Sequence, residues 1–330
     1  MNVIEVKGLS KNFRVKTKKE GLKGSLTALI KPCYKQVEAV KGIDFAVKKG
    51  EILAFIGPNG AGKSTTIKML TGILYPTSGH IRVLGLNPIV QRKKLAYKIG
   101  SVFGQKSQLW FHLPPMDTLK LLGTIYEIPG GELKKRIDYL VDMFEIGDLM
   151  DIPVRKLSLG QRIRCEIAAS LLHSPKVIFL DEPTIGLDII VKKKIRDLIL
   201  RLGREEEATI FLTSHDVGDI EQLCKRAIII NHGEIVLDES INGLKYNYLN
   251  KKVISIKFNE KTQIDIPGIE VVKHTDYSAK IEVDTRKYRL HDIMERLMKC
   301  GNVLDITVSD QPMEDIIAHI YQDLPVAGSN

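Results

Sequence analysis

The sequence is poor in cysteine and in aromatic residues, and it lacks a long apolar run. Its 330 residues include 4 cysteines, none of them in a Cys-x-x-Cys pair, so neither a disulfide framework nor a zinc site is indicated. No apolar run approaches the ~20 residues of a membrane-spanning helix, and the first ten residues lack the apolar core of a signal peptide. We therefore expect a soluble chain that stays in the cytosol.

Hydrophobic residues make up 44% of the chain and charged residues 27%, which excludes a disordered or fibrous protein. Positive charge is in excess, with 49 Lys and Arg against 40 Asp and Glu, a net charge of +9. Residues 11–40 hold eight Lys or Arg and two Glu, so a net +6 is concentrated in this stretch. Such an excess suits nucleic acid, an anionic membrane surface or a phosphate-bearing ligand, and all three alternatives stay open at this point.

The apolar pattern predicts two domains, residues 1–244 and 245–330. In the first, short apolar runs alternate with helical segments, which is typical of an α/β domain with a largely parallel sheet. Residues 106–172 have helical periodicity with prolines as punctuation, and we interpret them as a helical insert. The clear strands are predicted at 52–56, 177–180, 209–213 and 227–230.

The second domain is predicted to be a small α+β accessory domain. Strands are expected near 253–258, 280–283 and 303–308, with a helix between the last two. One face of that helix carries apolar residues at helical spacing. They are Leu290, Ile293, Met294, Leu297 and Met298.

A phosphate-binding loop follows the strand 52–56. Residues 57–64, GPNGAGKS, match G-x-x-x-x-G-K-[ST] and open a helix predicted from Ser64 to Leu70. The glycines let backbone N–H groups turn toward phosphate oxygens, and the helix N-terminus adds partial positive charge. Strand before and helix after argue against a chance match. The predicted nucleotide-binding residues of this loop are Gly57, Pro58, Asn59, Gly60, Ala61, Gly62, Lys63, Ser64 and Thr65.

Two carboxylates end a buried strand in the second half of the domain. The run VIFLDE places Asp181 and Glu182 at the carboxyl end of that strand, where open α/β sheets bind ligands. Alone, the run is equally typical of a strand that enters an acidic turn. Together with the loop it indicates Mg²⁺ held by Asp181 and Ser64, and Glu182 polarising the attacking water.

Between these motifs lies Leu157-Ser158-Leu159-Gly160-Gln161, which resembles LSGGQ, the signature of the ATP-binding subunits of ABC transporters. Leu159 departs from the family's glycine. The resemblance covers about residues 2–244 and implies a P-loop NTPase cassette, with a RecA-like core sheet, an antiparallel edge and a helical insert. The other matching residues are Gln105 of the Q-loop, Asp188 of the D-loop, His215 of the switch segment and Phe13, which matches the aromatic residue that stacks on adenine in the family.

The resemblance also implies that two subunits enclose two ATP molecules between them, so that each subunit supplies half of each nucleotide site. The signature helix would direct the positive end of its dipole to the γ-phosphate in the partner. A lone histidine is more often structural, so the role of His215 depends on the family's Thr-Ser before it. The implied catalytic residues are Glu182, His215, Lys63 and Gln105. The implied Mg²⁺ ligands are Ser64, Gln105 and Asp181. The residues implied to act in trans are Ser158, Gly160, Gln161 and Asp188.

Residues 72–79 and 182–188 look like those of the ABC-2 type export branch. This implies an ATPase at the cytoplasmic face of the cell membrane, working as a homodimer or with a closely similar subunit, on separately encoded permeases. The implied cofactors are ATP and Mg²⁺. An importer ATPase is one alternative. A soluble ABC ATPase acting on ribosomes or DNA is another, but one cassette and no heptads lead us to expect no nucleic acid. In that branch the C-terminal domain, possibly ferredoxin-like, would aid dimerisation or regulation.

Two further segments suggest contacts outside the nucleotide site. Residues 109–115, LWFHLPP, resemble the neighbourhood that receives a permease coupling helix, although an internal core for the insert is the alternative. Residues 14–36 form a basic insertion with an amphipathic run at Leu22, Leu26, Leu29 and Ile30. We expect the insertion to dock on a membrane surface or on the permease. A solvated hairpin packed on its own subunit is the alternative.

Overall fold

A computed structural model of the chain describes residues 1–17, 33–104, 107–214, 216–248, 251–264 and 269–322. The chain divides into two compact units, Met1–Glu239 and Ser240–Asn330. The sequence pattern predicts the boundary after residue 244. The earlier boundary has a physical reason, because the helix Ile241–Tyr248 packs against the helix Met313–Gln322 of the second unit.

A six-stranded sheet and a three-stranded sheet form the first unit. The strands are β1 (Asn2–Thr17), β2 (Cys33–Lys48), β3 (Ile52–Ile56), β4 (Ser78–Val83), β5 (Ile99–Phe103), β6 (Val177–Asp181), β7 (Thr209–Ser214), β8 (Arg226–Asn231) and β9 (Glu234–Ser240). The described helices are α1 (Lys63–Leu70), α2 (Arg92–Ala96), α3 (Pro115–Ile125), α4 (Gly130–Phe144), α5 (Leu159–Ser170), α6 (Ile189–Glu205) and α7 (Val217–Leu223).

The six-stranded sheet has the order β5-β6-β7-β3-β8-β9, and the four pairs from β5 to β8 are parallel. The four predicted strands coincide with β3, β6, β7 and β8 to within one residue at either end, which confirms the predicted α/β fold. Phe55 of β3 and Phe211 of β7 are fully buried, with ring centroids 5.2 Å apart. Because these strands are parallel, the carboxyl ends of β3, β6 and β7 meet at one edge of the sheet.

The antiparallel sheet has the order β2-β1-β4. Its first two strands form a long hairpin whose register runs from Asn2 opposite Lys48 to Thr17 opposite Cys33, with shifts along the way. The described ends of the predicted basic insertion, 14–17 and 33–36, are the arms of this hairpin. The amphipathic run between them lies outside the described residues.

The helices α3, α4 and α5 lie within the predicted helical insert, with short 3₁₀ turns at Gly147–Leu149 and Val154–Lys156. The sequence predicts that Gly160 and Gln161 open the signature helix and that it continues over 162–173. The helix α5 begins one residue earlier, at Leu159, and ends at Ser170. In the apolar segment before α3, Leu109 is buried, whereas Trp110, Phe111 and Leu113 are 41%, 52% and 43% exposed. These three side chains therefore lie on the surface of the unit.

The described elements of the second unit are α8 (Ile241–Tyr248), β10 (Lys251–Phe258), β11 (Glu270–Thr275), β12 (Ser278–Asp284), α9 (Leu290–Lys299), β13 (Val303–Asp310) and α10 (Met313–Gln322). The four strands form an antiparallel sheet of order β11-β12-β10-β13. Of the predicted apolar face of α9, Ile293 and Leu297 are buried in the core, whereas Met298 is 53% exposed.

A ferredoxin-like domain needs a helix after its first strand as well as after its third. The described residues between β10 and β11, 259–264 and 269, contain no helix, so only the second of these helices, α9, is present in the described part. Sequence reasoning missed β11 and α10. Within the described ranges of the whole chain, no helix has the length and apolar character needed to cross a membrane.

Candidate functional site

The loop between β3 and α1 is shaped by close backbone contacts. A Cβ atom added at Gly57 would lie 2.2 Å from the carbonyl oxygen of Ile230, at the end of β8. Real Cβ atoms essentially never come this close to a backbone atom, so only glycine fits at this position. The loop therefore passes directly beside the neighbouring strand before α1 begins at Lys63.

The ammonium group of Lys63 is held inside this loop. Its Nζ donates to the carbonyl oxygens of Gly57 at 2.6 Å and Pro58 at 3.2 Å, and the residue is only 6% exposed. Glu182 Oε1 lies 3.7 Å from the same Nζ. A buried ammonium needs such acceptors. In a loop of this motif, the lysine ammonium is also the group that binds phosphate oxygens.

At the end of β6, the carboxylate of Asp181 accepts from two hydroxyl groups, one from α1 and one from β7. Ser64 Oγ donates to Asp181 Oδ1 at 3.2 Å, and Thr213 Oγ1 donates to the same oxygen at 2.6 Å. The parallel register places Asp181 directly opposite Thr213. Hydroxyl and carboxylate oxygens are the hard ligands that Mg²⁺ prefers, so Ser64 and Asp181 fit this ion.

The backbone of Glu182 adopts φ 57°, an unusual value for a residue with a side chain. Its N–H donates to the carbonyl oxygen and to Oγ1 of Thr213, both at 3.1 Å. Gly104 approaches from β5, and its N–H donates to the carbonyl oxygen of Asp181 at 3.0 Å. A strained backbone costs on the order of 1–3 kcal/mol and persists where surrounding contacts fix it, which happens most often at functional sites.

These groups surround one pocket of ≈ 490 Å³. Residues 58–65 line it from the loop, and Phe103, Gly104, Asp181 and Glu182 line it from the ends of β5 and β6. The structure therefore brings together most of the residues predicted for nucleotide, metal and general base. Gly57 stands behind the lining as an acceptor for Lys63. Gln105 and His215 lie outside the described residues.

Phe13 is not among the described residues that line this pocket. It lies on the hairpin opposite Val37, and the Nζ of Lys11 is 5.2 Å from the centroid of its ring. Ala39, two residues after Val37 on β2, does line the pocket. The strand position of Phe13 is therefore two residues along the hairpin from Ala39, which lines the pocket.

The signature residues form the start of α5. Ser158 accepts a hydrogen bond from the N–H of Gln161 at 3.3 Å, while the Gln161 side chain accepts one from the N–H of Ser158 at 2.8 Å. This capping box satisfies two backbone donors of the first turn. The capping box therefore gives Gln161 a structural role within its own chain. Sequence reasoning missed this role, although Ser followed three residues later by Gln is the known pattern of a capping box.

The signature and the D-loop are neighbours. A Cβ added at Gly160 would lie 2.5 Å from Cγ1 of Val191 in α6, so glycine permits this close packing. Asp188 caps α6 by accepting from the N–H of Val191 at 3.0 Å. Ser158 and Asp188 are both exposed. None of the four residues predicted to act in trans is among the described lining of the pocket in the same chain.

Comparison with known proteins assigns the chain to a family. Residues 40–185 match the family described as "ABC transporter". The chain is 34% identical to the ABC transporter ATP-binding protein NatA of Bacillus subtilis, over 64% of this chain and 85% of that protein. It is 32% identical to the bacitracin transport ATP-binding protein BcrA of Bacillus licheniformis, over 86% of this chain and 92% of that protein.

Among solved structures, a dimeric ATP-binding cassette in a post-hydrolysis state, bound to ADP and Pi, superimposes with a TM-score of 0.60 at 26% identity. The match covers 72% of this chain and 98% of that one. Sequence relatives, fold and the residues gathered at the pocket agree. The chain belongs to the ABC transporter family, as an ATP-binding and ATP-hydrolysing subunit of its ABC-2 type branch.

Proposed function

We propose that two copies of this chain, or one copy and a closely similar subunit, close around two ATP molecules and thereby drive substrate export through separately encoded permeases. The observation that carries the proposal is the separation of the predicted residues onto two surfaces. Lys63, Ser64, Asp181 and Glu182 meet at the pocket, whereas the exposed start of α5 lies outside that pocket in the same chain. A second copy is the simplest way to join the two surfaces over one nucleotide.

At the pocket, Lys63 would exchange its two loop carbonyls for the β- and γ-phosphate oxygens of ATP. Ser64 and Asp181 would hold Mg²⁺ together with Gln105. Bound Mg²⁺ neutralises phosphate charge, and this is the main requirement of phosphoryl transfer besides in-line geometry. Phe13 would stack on adenine at the rim of the pocket, next to the part of β2 that carries Ala39.

Glu182 is proposed as the general base. Its carboxylate lies on the pocket wall within 3.7 Å of Lys63 Nζ, and its strained backbone is held by Thr213. A base fixed in this way can orient a water molecule toward the γ-phosphate and accept its proton. His215, which follows β7 in the sequence, is proposed to place the same water.

The partner copy is proposed to contribute Ser158, Gly160, Gln161 and Asp188. The hydroxyl oxygen of Ser158 accepts the cap bond from Gln161, which leaves its O–H proton available to an anion. The N–H of Gly160 belongs to the first turn of α5, whose donors have no acceptor within the helix. Both groups stand at the positive end of the helix dipole.

Glu182→Gln tests the proposal. Loss of the base should lower ATP turnover by at least about a hundredfold, while ATP binding persists and the variant accumulates as an ATP-bound dimer. Turnover, calorimetric affinity and light-scattering mass measure the three effects, and Glu132→Gln on the surface of α4 is the control. Undiminished turnover would remove Glu182 from its role. A monomer at saturating ATP would contradict the dimer.

Export at the cytoplasmic face of the membrane is supported by the ABC-2 type relatives, one of which is named for bacitracin transport. The exposed Trp110, Phe111 and Leu113 offer a surface for the permease. Co-purification from membranes with a permease, followed by ATP-driven movement of substrate in vesicles, tests partner and direction. Uptake that requires a separate binding protein would favour the importer.

A further inference from the structure

A buried network of charged and hydroxyl side chains links three segments next to the pocket. Asp219 of α7 is fully buried and accepts hydrogen bonds from Arg196 Nε at 2.5 Å and from Ser214 Oγ at 3.0 Å. It also accepts one from the hydroxyl of Thr184. An ionised carboxylate at such a depth needs several donors, so Asp219 and its three partners hold one another in place.

Arg196 extends the network to a second carboxylate. Its Nη2 donates to Asp216 Oδ1 at 3.2 Å, and Lys192, one turn earlier on α6, pairs with Asp216 Oδ2. Asp216 also caps α7 by accepting from the N–H of Gly218 at 2.9 Å. Burial acts to raise the pKa of Asp216, but Lys192 and Arg196 outweigh it and lower the pKa. The guanidinium of Arg196 thus bridges Asp219 of α7 and Asp216, the residue that caps α7.

The two ends of this network adjoin the proposed hydrolytic residues. Ser214 and Asp216 immediately precede and follow His215, and Thr184 comes two residues after Glu182. Successive strand residues point to opposite faces, and β7 uses both: Thr213 binds Asp181, whereas Ser214 binds Asp219. Neither Arg196 nor Asp219 lines the pocket.

We infer that Arg196 and Asp219 are positioning residues for ATP hydrolysis. Asp219 joins Thr184 to Ser214, and Arg196 joins Asp219 to Asp216. The segment after Glu182 is thereby held at a fixed position relative to Ser214 and Asp216, the two neighbours of His215. The inference rests on the proposed function, because it uses the roles of Glu182 and His215. A guanidinium suits this task because its planar fork holds separate donors at fixed positions, one toward each carboxylate, whereas the donors of a lysine ammonium share a single nitrogen atom.

The test compares substitutions in the full chain. Arg196→Met and Asp219→Asn should lower kcat for ATP at least tenfold and leave KM within twofold, and Arg196→Lys should recover only part of the loss. Thermal unfolding checks that each variant is folded at the assay temperature. The control is Arg201→Met on the same helix, whose guanidinium forms an exposed pair with Glu205 at 3.2 Å. It should keep kcat within twofold.

A double-mutant cycle separates positioning from general stability. In a His215→Ala background, Arg196→Met should lower kcat by a clearly smaller factor than in the parent, because one of the two residues to be positioned is absent. Unchanged kcat in Arg196→Met, or an equal loss in both backgrounds, would overturn the inference. Full activity of His215→Ala alone would instead contradict the proposed role of His215. If Asp219→Asn does not fold, Thr184→Val and the two Arg196 variants decide the outcome.

Discussion

At the scale of single residues, two glycines of the phosphate-binding loop, Gly57 and Gly62, make close backbone contacts that tolerate no added atom. Gly57 is the tightest of these positions, with the carbonyl oxygen of Ile230 2.2 Å from where a Cβ would stand. The same glycine supplies the carbonyl oxygen that accepts from Lys63 at 2.6 Å. A change at this position therefore disturbs both the packing of the loop on β8 and the placement of the ammonium group.

Gly57→Ala should destabilise the chain by about 1–3 kcal/mol, the usual cost of overpacking, and should weaken ATP binding. Urea denaturation and calorimetry measure the two effects. Gly131→Ala is the matched control, because a Cβ there meets no atom within 4 Å and the residue lies in the first turn of α4. The control should be neutral or stabilising by up to about 1 kcal/mol. A Gly57→Ala variant as stable as the parent would contradict the close contact.

Site residues were predictable where the chemistry is contiguous in sequence. The loop 57–64 and the pair Asp181-Glu182 are each a short motif, so no tertiary information was needed to find them. Thr213 escaped prediction because its role depends on the register of β6 and β7. The contacts of Arg196 with Asp216 and Asp219 likewise depend on how α6 packs against α7, which no local pattern contains.

At the scale of elements, the sequence predicts four central strands of the first unit and three strands of the second, β10, β12 and β13, but misses β5 and the long hairpin of β1 and β2. β3, β6, β7 and β8 are continuous apolar runs, so composition alone marks them. The hairpin strands β1 and β2 carry many charged residues and shift register repeatedly, so they have no clean alternation. The cap of α5 was missed because Ser158 was considered only as a phosphate donor.

The helix α5 also buries an acid that the proposed mechanism does not use. Glu166 is 2% exposed, and burial is the main cause that raises its pKa. A hydrogen bond with Ser107 and the charge of Arg162 act in the opposite direction without offsetting burial. Since the pKa is higher in the folded state, Glu166 contributes stability at low pH, and this is lost as pH rises through the folded-state pKa.

Glu166→Gln should therefore raise the melting temperature near pH 8 and give little gain near pH 5. A stabilisation of 1 kcal/mol corresponds to about 2–4 °C for a unit of this size. Thermal unfolding at several pH values, with the exposed Glu132→Gln as control, measures the difference. A gain that is the same at every pH would show that the carboxylate charge is not its cause.

At the scale of the whole molecule, the candidate site residues belong to the first unit, and the excess positive charge is concentrated in its hairpin. Residues 18–32 contain four lysines and one glutamate, a net charge of +3, together with the apolar run from Leu22 to Ile30. The structure adds one fact to this composition. Thr17 and Cys33 are directly paired, so the segment leaves the hairpin and returns to it at adjacent positions.

This pairing allows a clean deletion. Replacing residues 18–32 by Asn-Gly, a two-residue turn that suits a hairpin, should leave ATP affinity unchanged because the pocket is untouched. Binding to vesicles rich in anionic lipid should fall by about a hundredfold, since each basic residue contributes about 1 kcal/mol near such a surface. Flotation measures binding.

Two further variants separate the contributions of charge and of the apolar face. The contribution of charge is tested by changing to Gln the residues Lys18, Lys19, Lys23 and Lys31. The contribution of the apolar face is tested by changing to Ser the residues Leu22, Leu26, Leu29 and Ile30. If the deletion variant binds vesicles as the parent does, the segment does not contact lipid, and the solvated hairpin becomes the better description.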